Sequence, residues 1–182
     1  MSRLALKIAL VVVVLAAVAG VCYWFLIPVP RQQKADLRQR DGVWCLKATD
    51  QPFTGIMFEA NSKGQLLSEI PLNEGLAHGK ARGWHPNGQL EVEEPFTKGK
   101  SNGQRTRYHS NGKVRSIATI VQGTLHGPFQ EFHDNGQLAV EMTLVNGVGQ
   151  GPSRAWHPSG KLKAEVTLVD GEPSAASYHE DK

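Results

Sequence analysis

Hydrophobic and polar positions alternate with a period of two over short stretches of this chain. Leu138, Val140, Met142 and Leu144 are interleaved with Ala139, Glu141 and Thr143. Leu162, Ala164, Val166 and Leu168 are interleaved in the same way with Lys163, Glu165 and Thr167. Period two predicts strands, with the apolar members on one side and the polar members on the other. Asn-Gly steps such as Asn135-Gly136 precede these stretches, and both residue types tolerate positive φ, so each step predicts a hairpin turn. A three-residue loop with its glycine left-handed sets His133 opposite Gln137 and Phe132 opposite Leu138. The same geometry pairs Trp84 with Leu90, Tyr108 with Val114 and Trp156 with Leu162. Such aromatic–aliphatic pairs contribute roughly 0.2–1 kcal/mol each.

The pattern recurs every 24 residues. Gly79, Gly103, Gly127 and Gly151 keep this interval, as do Trp84, Tyr108, Phe132 and Trp156, and behind them His85, His109, His133 and His157. The turn glycines Gly88, Gly112, Gly136 and Gly160 keep it too, and so do Gly75, Gly99, Gly123, Gly147 and Gly171, which fall between hairpins. A strict period means a repeat array in which each unit leans on its neighbours. The expected fold is an all-β antiparallel meander of about five hairpins, with units near 55–78, 79–102, 103–126, 127–150 and 151–174. Each hairpin advances the sheet by roughly 9.5 Å. The first unit is degenerate, with Ala60 at the aromatic position, and Trp44 to Lys47 supplies a candidate strand ahead of it. Residues 173–179 echo the start of unit five and predict a lone closing strand.

The unit Gly-x-x-x-x-[Trp/Tyr/Phe]-His-x-[Asn/Ser]-Gly-x-[Leu/Val]-x-x-Glu, seen as Gly79…Trp84-His85-Pro86-Asn87-Gly88-Gln89-Leu90…Glu93, resembles the MORN repeat and more closely its bacterial variant. The resemblance covers residues 43 to 172. It implies a β-hairpin ribbon that binds or scaffolds. Relatives of this kind include antitoxin components, and the eukaryotic proteins resemble membrane-associated scaffolds with phospholipid contacts. This chain departs from the pattern at Ile117, where other units carry Glu69, Glu93, Glu141 and Glu165, and at Ser159, which replaces Asn.

Charge is divided unevenly. The formal net charge is +3, from 20 Lys/Arg and 17 Asp/Glu. Six of those cations and one of those acids lie in residues 1–40. The remainder is therefore slightly acidic, which removes the basis for a nucleic-acid reading. The basic N-terminus flanks an apolar run, Ile8 to Ile27, that is 20 residues long and matches one bilayer core. Arg3 and Lys7 precede it, Tyr23, Trp24 and Phe25 form its aromatic belt, and Pro28 and Pro30 end it. The expected organisation is a transmembrane anchor over 1–30, a charged linker over 31–42 and a repeat domain over 43–182. Ala17-Val18-Ala19 also fits a signal-peptide cleavage site. A short basic N-terminus places the repeats outside the cytoplasm, anchored in an inner or cytoplasmic membrane, while Arg31, Lys34, Arg38 and Arg40 count toward the opposite orientation. The two cysteines, Cys22 and Cys45, make no disulfide framework.

Candidate chemistry is sparse. The four histidines stand roughly 9.5 Å apart in successive hairpins, too far to share a zinc ion held at about 2.0–2.1 Å. Each is expected to flank a turn beside its aromatic neighbour. The glutamates are read as a solvated polar face, and Gly147-Val148-Gly149-Gln150-Gly151 as turn-forming rather than a phosphate cradle. No nucleophile–base pair, metal spacing or cofactor motif appears, so the expectation is a non-enzymatic protein without a cofactor. The candidate partner-binding face is apolar: Trp84, Leu90, Phe96, Tyr108, Val114, Phe132, Leu138, Trp156 and Leu162. A candidate basic patch for an acidic protein or lipid headgroups comprises Lys98, Lys100, Arg105, Arg107, Lys113 and Arg115, with Arg105, Arg107, His109 and Arg115 expected on the polar face. No amphipathic helix is available to cover a single-layer sheet, so its apolar side is expected to stay partly open to a protein partner. The oligomeric state is not legible.

Overall fold

In a computed structural model the structure describes residues 29–180. The expected membrane anchor, Ile8 to Ile27, and Cys22 lie outside the described residues. Among the described residues no helix is long and apolar enough to cross a membrane.

The array consists of five hairpins: β4 (Gly55–Ala60) with β5 (Leu66–Asn73), β7 (Gly79–Trp84) with β8 (Leu90–Thr97), β10 (Gly103–Tyr108) with β11 (Val114–Val121), β12 (Thr124–Phe132) with β13 (Leu138–Val145), and β14 (Val148–Trp156) with β15 (Leu162–Val169). Two-residue strands β6 (Leu76–Ala77) and β9 (Lys100–Ser101) lengthen β5 and β8 pairing at the junctions. The closing strand β16 (Glu172–Tyr178) pairs with β15. All belong to one continuous sheet in chain order.

Two turn types alternate along this sheet. At one edge the His109 carbonyl accepts from the Gly112 N–H, while the His109 N–H donates to the Lys113 carbonyl. This is the expected three-residue loop, and the pairs Trp84–Leu90, Tyr108–Val114, Phe132–Leu138 and Trp156–Leu162 stand opposite one another as it requires. At the other edge the junction loop is itself a two-residue turn with both central φ positive, as at Gln122 (+52°) and Gly123 (+89°). That is the type I′ geometry whose twist matches the strands. Lys98 (+49°) and Gln122 are unbranched, so they tolerate this region, at some cost.

Neighbouring hairpins are tied at both edges by bonds of constant sequence separation. On the three-residue-turn edge, Nε2 of His85, His109 and His133 lies 2.9 Å from the carbonyl oxygen of Tyr108, Phe132 and Trp156 respectively. A carbonyl only accepts, so each ring carries its proton on Nε2. Beside them Nδ2 of Asn87, Asn111 and Asn135 donates to the carbonyls of Ser110, Asp134 and Pro158. On the other edge the N–H groups of Gly75, Gly99, Gly123, Gly147 and Gly171 donate to carbonyls of the preceding unit at Phe53, Ala77, Ser101, Leu125 and Gly149. At Gly103 the chain passes close to its neighbour: a Cβ there would lie 2.9 Å from Pro95 Cγ.

Each hairpin also carries a bulge. Trp84 pairs with Leu90 but Gly83 pairs with Val92, leaving Glu91 as an extra residue. Leu67, Arg115, Ala139 and Lys163 are the equivalents. One inserted residue reverses which side the following side chains occupy. The expected sidedness is therefore corrected. Leu138 shares a face with Phe132, whereas Val140, Met142 and Leu144 share the opposite face with Glu131, Phe129 and Gly127.

The N-terminal segment differs from expectation as well. Residues 31–42, read from their charge as a linker, are folded. β1 (Arg31–Gln33) runs parallel to β4 and is the first strand of the sheet, a place the sequence reading gave to Trp44–Lys47. After a 3-10 turn at Lys34–Asp36, β2 (Leu37–Arg40) and β3 (Val43–Leu46) form a separate hairpin. Arg38 and Arg40 both bridge to Asp50. Leu37 (3% exposed) and Phe53 pack on Met57 (2%) and Leu72 from the array, with Trp44, Leu46, Ile70 and Ala77 around them. This hairpin is a cap over one face of the first unit, and full burial of side chains of this size contributes roughly 1.5–3 kcal/mol each. The cap resolves the single-layer problem at one end of the array. Further along the same face Ala118 is shielded between Arg105 and Phe129 on the flanking strands.

Replacing Gln122 by Asn, which occupies left-handed φ at lower cost, is expected to raise stability by about 0.5–1 kcal/mol, read as a higher urea midpoint. His109→Ala removes one junction bond and is expected to cost about 1 kcal/mol. Hydrogen exchange should show the loss concentrated at the junction of units three and four, and unchanged protection there would refute the role given to the ring.

Candidate functional site

The side opposite the cap has no second layer over it among the described residues. Three rows of side chains cross it, and register assigns every member. The row nearest the three-residue turns is the aromatic–aliphatic one: Trp84/Leu90, Tyr108/Val114, Phe132/Leu138 and Trp156/Leu162, all half-buried. In unit one Ala60/Leu66 replaces the ring. An open cleft of about 500 Å³ lies next to that position, between the cap and β4, lined by Lys34, Trp44, Phe58 and Ala60 among others.

Phe96, grouped with these residues by sequence, is not among them. It pairs with Gly79, an odd number of residues from Trp84 along β7, and so lies on the cap side with Ile120 and Leu144 at the same repeat position. The bulge at Glu91 is the reason.

The second row was missed. Two residues before each aromatic stand Arg82, Thr106, Gln130 and Arg154, and they pair across the hairpin with Glu93, Ile117, Glu141 and Glu165. The glutamates, expected on the side away from the rings, thus share the aromatic face. Nor are they merely solvated. Lys80 Nζ (2.7 Å) and Arg82 Nε (3.1 Å) converge on Glu93. Arg154 lies 3.4 Å from Glu141 and 2.9 Å from Glu165. Arg31 bridges to Glu69 and sits 5.4 Å over the Phe58 ring. Where the repeat loses its acid, at Ile117, the opposite residue Thr106 is uncharged too. The signal was present in the sequence as two columns 11 residues apart, Arg82/Glu93 and Arg154/Glu165 among them.

These contacts set the proton affinities. The Lys80 ammonium, followed by the Arg82 guanidinium, holds the Glu93 carboxyl below its ordinary value of 4.5 against the opposing effect of partial burial. The Glu165 carboxylate first, and Glu141 after it, raise Arg154.

The third row, Lys80/Pro95, Gln104/Thr119, Pro128/Thr143 and Pro152/Thr167, leads toward the type I′ turns. There Val121 (46% exposed), Val145, Val148 and Val169 stand out in solvent.

The six candidate basic residues do not converge. Lys98 is a central residue of a type I′ turn and Lys100 follows it, whereas Lys113 lies at the opposite edge with its Nζ on the Asn135 carbonyl. Strands of six residues separate these edges by roughly 20 Å. Arg105 and Arg107 pair with Ala118 and Ser116 on the cap side, and Arg105 is half-buried 3.6 Å from Glu94. Arg115 is the bulge residue. His109, expected beside these arginines, has its ring on the Phe132 carbonyl.

Among the described residues no group of three or more His, Cys, Asp or Glu is placed to hold a metal ion. Cys45 is buried in the cap. What the face offers is binding chemistry: flat rings bordered by fixed ion pairs.

A family model described as MORN repeat variant matches four segments, 77–98, 101–122, 125–146 and 150–170. They begin just after the type I′ turns and include the four aromatic pairs. No curated protein matches the chain.

A depressed folded-state pKa contributes stability above the ordinary value and loses it as pH falls through the folded value. Glu93→Gln is therefore expected to lower the urea midpoint at neutral pH, and the difference from the parent should shrink below pH 4.5. A difference that is constant across that range would mean the Lys80–Glu93–Arg82 cluster adds nothing.

Proposed function

We propose that this chain, a MORN-repeat protein across residues 77–170, is a non-enzymatic scaffold that holds a protein partner on its aromatic face. The observation that carries the reading is the asymmetry between the two sides. The fully buried apolar side chains of the array, Met57, Leu72, Ala118, Ile120 and Leu144, all lie on the cap side, where Phe96, Phe129 and Met142 are half-buried. The aromatic side keeps a row of rings in reach of solvent on a rigid frame. Large rings on a pre-organised surface lose little entropy on docking, and they are the residues that dominate protein interfaces. Residues 8–27 supply a tether on this reading, because their length matches a bilayer core. The dispersal of the basic residues over two edges and both faces weighs against lipid headgroups as the main ligand.

A pull-down with the detergent-solubilised full-length protein tests the proposal. Trp84→Ala and Trp156→Ala are expected to reduce recovery of a defined protein partner by at least tenfold, roughly 1.4 kcal/mol, while circular dichroism retains the sheet. Equal recovery by both variants would remove the aromatic face from the interface.

A further inference from the structure

Resting on the reading above, we infer that the partner docks at unit three, with an apolar group over Ile117 and opposite charges to either side. The aromatic face is divided by its second row. In unit two the row is closed by Arg82 and Glu93, with Lys80 reaching Glu93 from the third row, three charges that leave one positive in excess. In units four and five it is closed by Glu141, Arg154 and Glu165, which leave one negative in excess. Between them Thr106, Ile117 and Gln130 carry no charge.

Unit three therefore has the only complete hairpin in the four matched repeats whose second row is uncharged. An uncharged path runs there from Tyr108 through Thr106 to Ile117, Thr119 and exposed Val121, with the exposed bulge residue Arg115 beside it. Everywhere else a charged side chain crosses this path. A partner's apolar group laid over a cluster of fixed charges would strip their water without replacing it. Over Ile117 it meets a half-buried methyl surface instead, and the area removed from water favours contact.

The flanks then set polarity. Arg82 on β7, which with Lys80 outweighs Glu93 two strands away on β8, and Arg154 on β14 each lie three strands from Ile117 on β11, about 14 Å at 4.8 Å per strand, and Glu141 two strands away, about 10 Å. The complementary partner bears an acidic group on the unit-two side and a basic group on the unit-four side of its apolar anchor. Potentials matched in this way fix orientation more than they add affinity. In an extended chain at roughly 3.3 Å per residue, the three groups are about four residues apart.

The substitution that tests this is supplied by the repeat itself. Thr106→Arg with Ile117→Glu rebuilds in unit three the Arg82–Glu93 pair of unit two, a combination this fold already accepts. The probe is a fluorophore-labelled nine-residue peptide with Glu first, Phe fifth, Lys ninth and Ser elsewhere. Fluorescence anisotropy against the full-length protein in detergent should show saturable binding, weakened by at least fivefold in the double variant. Replacing the central Phe by Asn, or Glu by Lys at the first position, should weaken it similarly, the latter effect fading at high salt. Equal affinity for parent and double variant, or no saturable binding by the parent, overturns the inference. Its failure is separable from failure of the wider reading. Partner recovery that is sensitive to Trp84→Ala and Trp156→Ala but indifferent to the double variant leaves the aromatic face standing and removes unit three as its centre.

Discussion

The hydrogen bonds between successive hairpins are what the rest of this structure depends on. A histidine ring and an asparagine amide at one edge, and a glycine N–H at the other, each reach a backbone carbonyl of a neighbouring unit. Each recurs at its own fixed offset in sequence, so inserting a residue in one hairpin would break bonds at both of its edges. The strict 24-residue interval follows from this. It also accounts for histidine behind every full aromatic position: the ring spans to the next strand while its own N–H and carbonyl close the turn. Unit one, where Asn61 stands in the histidine position, forms the same turn but reaches unit two through Gln65 Nε2 to the Pro86 carbonyl.

The bulge is the second constraint, and it decides what each face is for. If Glu91, Arg115, Ala139 and Lys163 were paired regularly, the aromatics would lie on the same side as Phe96, Ile120 and Leu144, and the glutamates would be parted from Arg82 and Arg154, which stay beside the rings. The bulge instead sorts the large apolar residues into two sets. One is folded against the cap and against its own neighbours. The other remains reachable, interleaved with ion pairs that keep a ring-bearing surface soluble. A single-layer sheet can thus hold together on one side and leave a row of half-buried rings on the other, without a helix to cover either.

The ion pairs also explain why the repeats are not interchangeable. Glu93 is shared by two cations, and Arg154 by two carboxylates. The cross-strand row consequently differs in charge from unit to unit even though the units have one architecture. Unit three breaks the row at both members of the cross-strand pair, Thr106 and Ile117, so no charge is left without an opposite there.

The sequence by itself determined the repeat, the turns and the strand pairing. Asn-Gly at a fixed offset specifies a three-residue loop whatever surrounds it, and the loop specifies that Trp84 faces Leu90 and Phe132 faces Leu138. These are local consequences of backbone sterics. Sidedness beyond Leu90 or Leu138 was not legible, because a bulge changes hydrogen bonding without changing the apolar–polar alternation: Leu138, Val140 and Met142 read as one face and occupy two. The fate of residues 31–50 was decided only in three dimensions. Leu37 and Phe53 are scattered among charges and prolines, and nothing near them in the chain has a complementary surface. They fold because Met57 and Leu72, brought together by the array, form an apolar floor for them, and a contact between segments so unlike in pattern exists only once the sheet has formed.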